Sequence, residues 1–243
     1  MRTLFSCFLL ASLLAGAPRA QAQSDVRKIN LLHFEPSTSA HGLLTADSAT
    51  TPGHTKWAVG LWFGYANDAL KVSSGGSTIY KPVAHQVFAE LTFALGLWEY
   101  VEVGAALPIV FYQKDDGDPT AVGNPTDLET TAVGDIRLAP KVRFWKNRPH
   151  GFGLALVPQL TFPSGNDKGN TTDGRVGFEP RLVMDYRFAQ GTRIALNLGY
   201  RLRKKVQVSN LRVDDEFYFA VGAEVPVYKK QLALVGELFG AVG

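Results

Sequence analysis

Lys56-Trp57-Ala58-Val59-Gly60-Leu61-Trp62-Phe63-Gly64-Tyr65-Ala66 alternates large apolar residues with small ones at every step except Trp62. A period of two puts Trp57, Val59, Leu61, Phe63 and Tyr65 on one face of a β-strand. The pattern returns over residues 83–95, 101–111, 136–144, 152–162, 176–188, 194–202 and 217–225, and more weakly over 231–239, where Gly236 interrupts the apolar row. In a soluble sandwich the apolar faces would pack on one another and the opposite faces would meet water. Here the opposite faces carry glycine, alanine and paired-looking charge, as expected of a barrel turned inside out in a membrane.

The N-terminus fits export. Arg2 precedes an apolar run over residues 4–17, and Ala20-Gln21-Ala22 forms an A-x-A cleavage site, so residues 1–22 read as a secretory signal peptide. That run is shorter than the ~20 residues of a helical span, and no other stretch approaches that length without charge. The single cysteine, Cys7, lies within the signal, which leaves the mature chain without thiol chemistry. Removing the signal leaves 23 basic residues against 22 acidic ones, a near-neutral balance that argues against nucleic acid as a partner. Residues 23–55 are polar, rich in Pro, Gly, Ser and Thr, and lack periodicity, so they read as a periplasmic lead-in reaching into the barrel mouth. Residues 56–243 then form the barrel.

Connection lengths give a second signal. Residues 67–82, 112–133, 163–175 and 203–214 read as long loops, whereas 96–100, 145–151, 189–191 and 226–230 read as tight turns. Outer-membrane barrels put long loops outside and tight turns in the periplasm. Trp57, Trp98, Tyr100, Trp145, Phe188 and Tyr228 then fall at the periplasmic rim, and Tyr65, Phe111, Tyr112, Phe162 and Tyr200 at the outer one, forming two aromatic girdles. Two features strain the pattern. Pro108, Pro140, Pro158 and Pro180 sit within strands and remove ladder donors, which predicts local bulges or unpaired sites. Nine strands also leave the last one rising like the first, whereas single-chain barrels have even counts, so ten or more strands are expected for closure.

The inward row comprises Glu90, Glu102, Asp135, Arg137, Lys141, Arg143, Glu179, Arg181, Asp185, Arg187, Arg193, Asn197, Arg201, Glu216, Glu224 and Glu237. Bases concentrate on the fourth, sixth and seventh strands and acids on the second, third and eighth, an asymmetry that would set a transverse field across a water-filled pore. The same residues would serve a narrow barrel filled by paired side chains. No cofactor or metal site is expected: Lys114-Asp115-Asp116-Gly117-Asp118 lacks calcium-loop spacing, and the five histidines are scattered. No enzymatic activity is expected either, because His85, on a strand, has no serine nucleophile in register. It reads as an interfacial residue near the headgroups.

Residues 133–144, Val-Gly-Asp-Ile-Arg-Leu-Ala-Pro-Lys-Val-Arg-Phe, and 156–165, Leu-Val-Pro-Gln-Leu-Thr-Phe-Pro-Ser-Gly, resemble the G-D-x-x-L-x-x-K-x-R-F and L-x-x-P-x-G pattern of transporter-like outer-membrane barrels. Phe34-Glu35-Pro36, Gly42-Leu43-Leu44, Asp47-Ser48, Thr51-Pro52-Gly53, Gly60-Leu61-Trp62 and Gly236-Glu237-Leu238-Phe239-Gly240 are similar to the N-terminal barrel of OmpA-family proteins. The resemblance implies a Gram-negative outer-membrane location, a barrel of ten or more strands and, in longer relatives, a periplasmic peptidoglycan-binding domain with no counterpart among these motifs. The expected function is a passive channel or transporter-like pore for small solutes, with outer-membrane lipid and the barrel assembly machinery as partners. The alternatives are an OmpA-like structural envelope protein with a closed interior and a soluble secreted β-sandwich or lipocalin-like binding protein.

Overall fold

The computed structural model describes residues 30–32, 34–117, 128–146, 150–203, 206–208, 211–228 and 231–243; the expected signal peptide, His33 and Asp118 lie outside them. The architecture is all-β. The strands are β1 (Trp57–Ser74), β2 (Ser77–Leu97), β3 (Val101–Gly117), β4 (Ala132–Val133), β5 (Ile136–Trp145), β6 (Gly151–Phe162), β7 (Gly177–Arg187), β8 (Arg193–Arg201), β9 (Val206–Val208), β10 (Leu211–Val213), β11 (Glu216–Tyr228) and β12 (Leu232–Val242). One antiparallel meander runs β1-β2-β3-β5-β6-β7-β8-β11-β12, with β4 as a short extension beside β3. It curls into an open half-barrel, consistent with a β-barrel, and no β1–β12 pairing is formed.

The alternation sets the register. Leu61 pairs with Leu91, Leu91 with Leu107, Leu156 with Leu182, and Leu182 with Leu198, so apolar side chains form continuous rows around the convex face. That face is exposed despite its composition: Leu61 is 58% exposed, Phe63 71% and Trp57 67%. The buried residues lie on the concave face and are either small, such as Ala139, Ala155, Val157 and Val183, or charged, such as Glu90, Glu102, Lys141 and Arg181. A water-soluble sheet would reverse this distribution.

Three expected loops are partly strand. Residues 67–82 continue the β1–β2 ladder to Ser74–Ser77 through several register shifts. The hairpin closes on Gly75 and Gly76, both at positive φ (59° and 85°), the conformation that a tight two-residue turn demands and glycine provides without strain. Lys71 and Lys81 both reach Asp68 there, at 2.8 and 3.0 Å. The next loop starts later than expected because β3 runs through Lys114, Asp115 and Asp116 to Gly117, and 203–214 contains the β9–β10 hairpin. The alternation reading stopped where apolar residues ran out, whereas backbone pairing continues with polar side chains beyond a membrane's apolar band.

The prolines are accommodated by skipped ladder steps. Leu138 pairs with Leu160 and Val142 with Leu156, and the missing step between them is where Pro140 meets Pro158. Pro158 in turn faces Pro180. The β7–β8 ladder stops at Arg181–Gly199, one step short of Pro180, and a bridge at Phe178–Leu202 lies beyond it. Three strands thus set their donor-less residues side by side, so few amides lose partners.

Residues 30–55 run along the concave face from one end to the other. Leu31 N donates to Asn170 O at 3.0 Å at the long-loop end, and Thr55 N donates to Gly96 O at 2.9 Å at the short-turn end. Glycine makes room for this segment. A Cβ on Gly96 would lie 2.0 Å from Gly53 O, and one on Gly104 2.5 Å from Thr38 Oγ1.

Leu182 lies at the middle of β7 on the convex face. If that face meets hydrocarbon, Leu182→Arg destabilises the protein by about 2–4 kcal/mol in denaturant unfolding from lipid vesicles. In a soluble protein the same change at a half-exposed site would stay within about 0.5 kcal/mol.

Candidate functional site

The concave face is the chemically distinctive part of the molecule, and its centre is Arg181. This guanidinium is almost fully buried and donates to Asp47 Oδ2 at 3.0 Å and to Glu179 Oε1 at 2.5 Å, with its carbon 4.5 Å above the centre of the Tyr218 ring. Glu179 also accepts from Arg201 at 2.5 Å, and Arg201 donates onward to Glu35 at 3.0 Å. Glu35 then reaches Arg137 at 3.4 Å, and Arg137 pairs with Glu90. The result is one chain of charges, Glu90-Arg137-Glu35-Arg201-Glu179-Arg181-Asp47, crossing from β2 through β5, β7 and β8. Two of its carboxylates, Glu35 and Asp47, come from the lead-in rather than from the wall.

Further bonds fix the lead-in along its length. Lys141 Nζ holds Glu102 at 2.9 Å and donates to Ser39 Oγ and the carbonyls of Ser48 and Thr50. Ser48 Oγ donates to Asp185 Oδ2 at 2.5 Å, Asp47 N to Asn197 Oδ1 at 2.6 Å, and Thr45 Oγ1 to Glu237 Oε2 at 2.7 Å. Arg193 bridges Glu224 at 2.7 Å and the His41 carbonyl at 2.5 Å. At the short-turn end Arg143 donates to Glu99 O, and Thr51 Oγ1 to the same carbonyl at 2.6 Å. Apolar contacts are small by comparison: Leu43 and Ala46 against Ala195, Tyr218 and Ala220, and Ala49 against Val157 and Val183.

The remaining inward residues are placed as follows. Asp135 is buried and accepts from Gly165 N and Asp173 N, which tethers the β6–β7 loop rather than lining open space. Arg187 lies half-buried near the short-turn end of β7. Glu216 binds Arg203 at 3.0 Å and Arg201 at 3.8 Å. Acids and bases segregated by strand in the sequence therefore meet as contact pairs between strands. Sequence reasoning missed Glu35, Asp47 and Ser48, because a segment without periodicity gives no face. It also missed Arg203, which binds Asp173 at 2.9 Å from within an expected loop.

The aromatic residues stand on the convex face: Trp57, Tyr65, Trp98, Tyr100, Phe111, Trp145, Phe162, Tyr200 and Tyr228 are exposed, and Phe188 is half-buried with its ring 4.8 Å from that of Tyr186. Tyr112 is also exposed. Tyr65 Oη bonds His85 Nδ1 at 2.8 Å with the rings stacked. Among the described residues no group of three His, Asp or Glu gathers as a metal site.

Two ionisable groups of the lead-in respond to this setting. Burial pushes the His41 imidazole below its ordinary value, and the nearby Lys141, Arg193, Arg187 and Lys56 push it further. Burial alone would raise the Glu35 carboxyl, but Arg201 and Arg137 outweigh it and hold the group below the usual carboxylate range. Both pKa values are lower folded than unfolded, so the unfolded chain binds protons first and acid erodes stability. His41 gives its full contribution above about pH 6.5 and Glu35 above about pH 4.3. Amide protection of residues 37–48 is therefore expected to fall as pH drops below about 6.5, and His41→Asn should remove that first step while leaving the acid step of Glu35. Arg181→Ala, which strands Asp47 and Glu179 as buried carboxylates, should cost about 3–5 kcal/mol in unfolding measurements.

Residues 49–243 match the family model described as "Putative MetA-pathway of phenol degradation", a family of outer-membrane-associated proteins. The match does not extend the motif resemblance to membership of the OmpA family. No curated protein and no solved structure matches.

Proposed function

The chain belongs to this outer-membrane-associated family, and from that premise we propose that it is a non-enzymatic outer-membrane barrel that passes small solutes, with residues 30–55 closing its lumen at rest. The observation that carries the reading is the way the lumen is filled. A barrel whose only task is structural can fill its interior with its own side chains. Here a separate segment threads the interior and is held mainly by polar contacts, including Asp47–Arg181, Glu35–Arg201, Ser48–Asp185 and Thr45–Glu237. Water can replace each of these when the segment moves, so the lumen left behind would be a hydrated, charged passage. The family's description names phenol degradation, which makes small phenolic compounds the first solute class to try.

The second reading, a structural envelope protein, is favoured by the direct wall pairs Arg137–Glu90 and Lys141–Glu102, which persist without the segment. Planar-bilayer conductance separates the two. The passage reading expects brief, low conductance from the intact protein and open channels from a variant lacking residues 37–48. Ser48→Cys with Asp185→Cys, oxidised to a disulfide, should suppress openings, and reduction should restore them. A folded deletion variant that conducts no more than the intact protein would favour the structural reading.

A further inference from the structure

The two ends of the sheet have the same polarity. Nine strands lie on the meander and each neighbouring pair is antiparallel, so β1 and β12 point the same way. Joined directly they would form a parallel pair, with slanted hydrogen bonds foreign to the rest of the sheet. A second copy in the same membrane orientation offers edges of that same direction, and it too can add only parallel pairs. Left open, both edges would carry unpaired amides and carbonyls into hydrocarbon, at several kcal/mol for each group.

The seam between them is narrow. The Phe34 ring is 6.4 Å from the Trp62 ring of β1 and 6.4 Å from the Phe239 ring of β12, edge-on to both. Those two rings are therefore no farther apart than twice that distance, close to the two strand spacings of ~4.8 Å that one inserted strand requires. Side chains at the seam also lack the cover found elsewhere. Inward residues of central strands, such as Val157 and Val183, are buried, whereas the inward Val235 and Phe239 of β12 are each more than 40% exposed. Trp62 Nε1 is buried without an acceptor among the described residues.

We infer that the β1–β12 seam is an acceptor site for one added β-strand, antiparallel to both edges, with an apolar outward row and a small or apolar inward row bearing a hydrogen-bond acceptor opposite Trp62. The inference rests on the membrane-barrel reading but not on solute passage. The occupant runs downward from the end of the barrel that carries the long loops. Its outward residues continue the rows of Leu61 and Phe63 on one side and Leu234 and Leu238 on the other. Its inward residues cover Phe34, Val235 and Phe239.

The test compares amide exchange of three proteins folded in detergent micelles. They are the chain itself, the chain extended after Gly243 by an Asn-Gly turn and the strand Thr-Val-Gln-Val-Thr-Leu-Gln-Leu-Thr-Val, and the same extension without its first Thr, which flips its two rows. In the chain alone, seam-facing amides of β1 and β12 should exchange at least tenfold faster than those of β6 and β7. The in-phase extension should slow both edges together by tenfold or more, and should add a heat-sensitive mobility shift on gels; the flipped one should not protect β1. Protected edges in the chain alone, or protection by the flipped strand equal to that by the in-phase one, would overturn the inference. So would a disulfide between Leu61→Cys and Leu238→Cys in the unextended chain, because it would show the two edges meeting directly. This last arm decides even if an extension fails to fold. Conductance is not read in any arm, so failure of the passage reading leaves the outcome intact.

Discussion

The contact on which the interior depends is the one between Arg181 and Asp47. Removing a guanidinium from water costs several kcal/mol unless its donors are met, and β7 can meet Arg181 only in part, through Glu179 of the same strand. Asp47 completes the set. Glu179 is then shared with Arg201, Arg201 with Glu35, and Glu35 with Arg137. In this part of the wall three guanidiniums face two carboxylates, Glu90 and Glu179, and the lead-in brings the other two. Residues 30–55 are thus not an extension that happens to rest inside the sheet. They provide counter-charge that the wall is built to receive, and the glycines at 96 and 104 leave the space for the backbone that carries it.

The wall was legible in the sequence because alternation is a property of single strands. All nine main strands sit where period-two runs occur, and Trp62, the one bulky residue out of phase in the first run, faces inward as its position requires and lies against Phe34. The lead-in was not legible. Its contacts join residues more than a hundred positions apart, as in Ser48–Asp185 and Asp47–Asn197, and no local pattern encodes such partners. The prolines show an intermediate case. Each one alone looks like a defect in a strand, and only the register reveals that Pro140, Pro158 and Pro180 stand in a row where missing donors face one another. Long polar hairpins such as Asn67–Val83 escaped because pairing does not need apolar side chains once a strand leaves the membrane.

Charge segregation by strand invites a picture of a field across an open pore. The geometry replaces it with short-range neutralisation, because strands rich in acid lie beside strands rich in base: Glu102 on β3 against Lys141 on β5, Arg193 on β8 against Glu224 on β11. Lining charge of this kind selects ions only when something separates the pairs. The lead-in is the one element inside that bonds to members of several pairs at once, since Lys141 also donates to Ser39, Ser48 and Thr50, and Arg193 to His41. Its presence or absence would therefore alter the electrostatics of the lumen as well as its free width.

Whether such a segment can leave depends on what its departure exposes. A plug held by apolar packing would bare apolar surface to water at about 25 cal/mol per Å2, with nothing to offset it. A plug held by hydrogen bonds loses about 0.5–1.5 kcal/mol net for each bond exchanged with water, and wall groups such as Asn197, Asp185 and Glu237 are rehydrated by the same water that enters. The large cost attached to breaking a buried ion pair arises when the remaining charge stays dry. In a lumen open at its ends it does not stay dry, and Arg181 retains Glu179 and the Tyr218 ring. The interior of this protein is thus tightly bonded while occupied and inexpensive to hydrate once vacated, a combination that a hydrophobic core cannot offer.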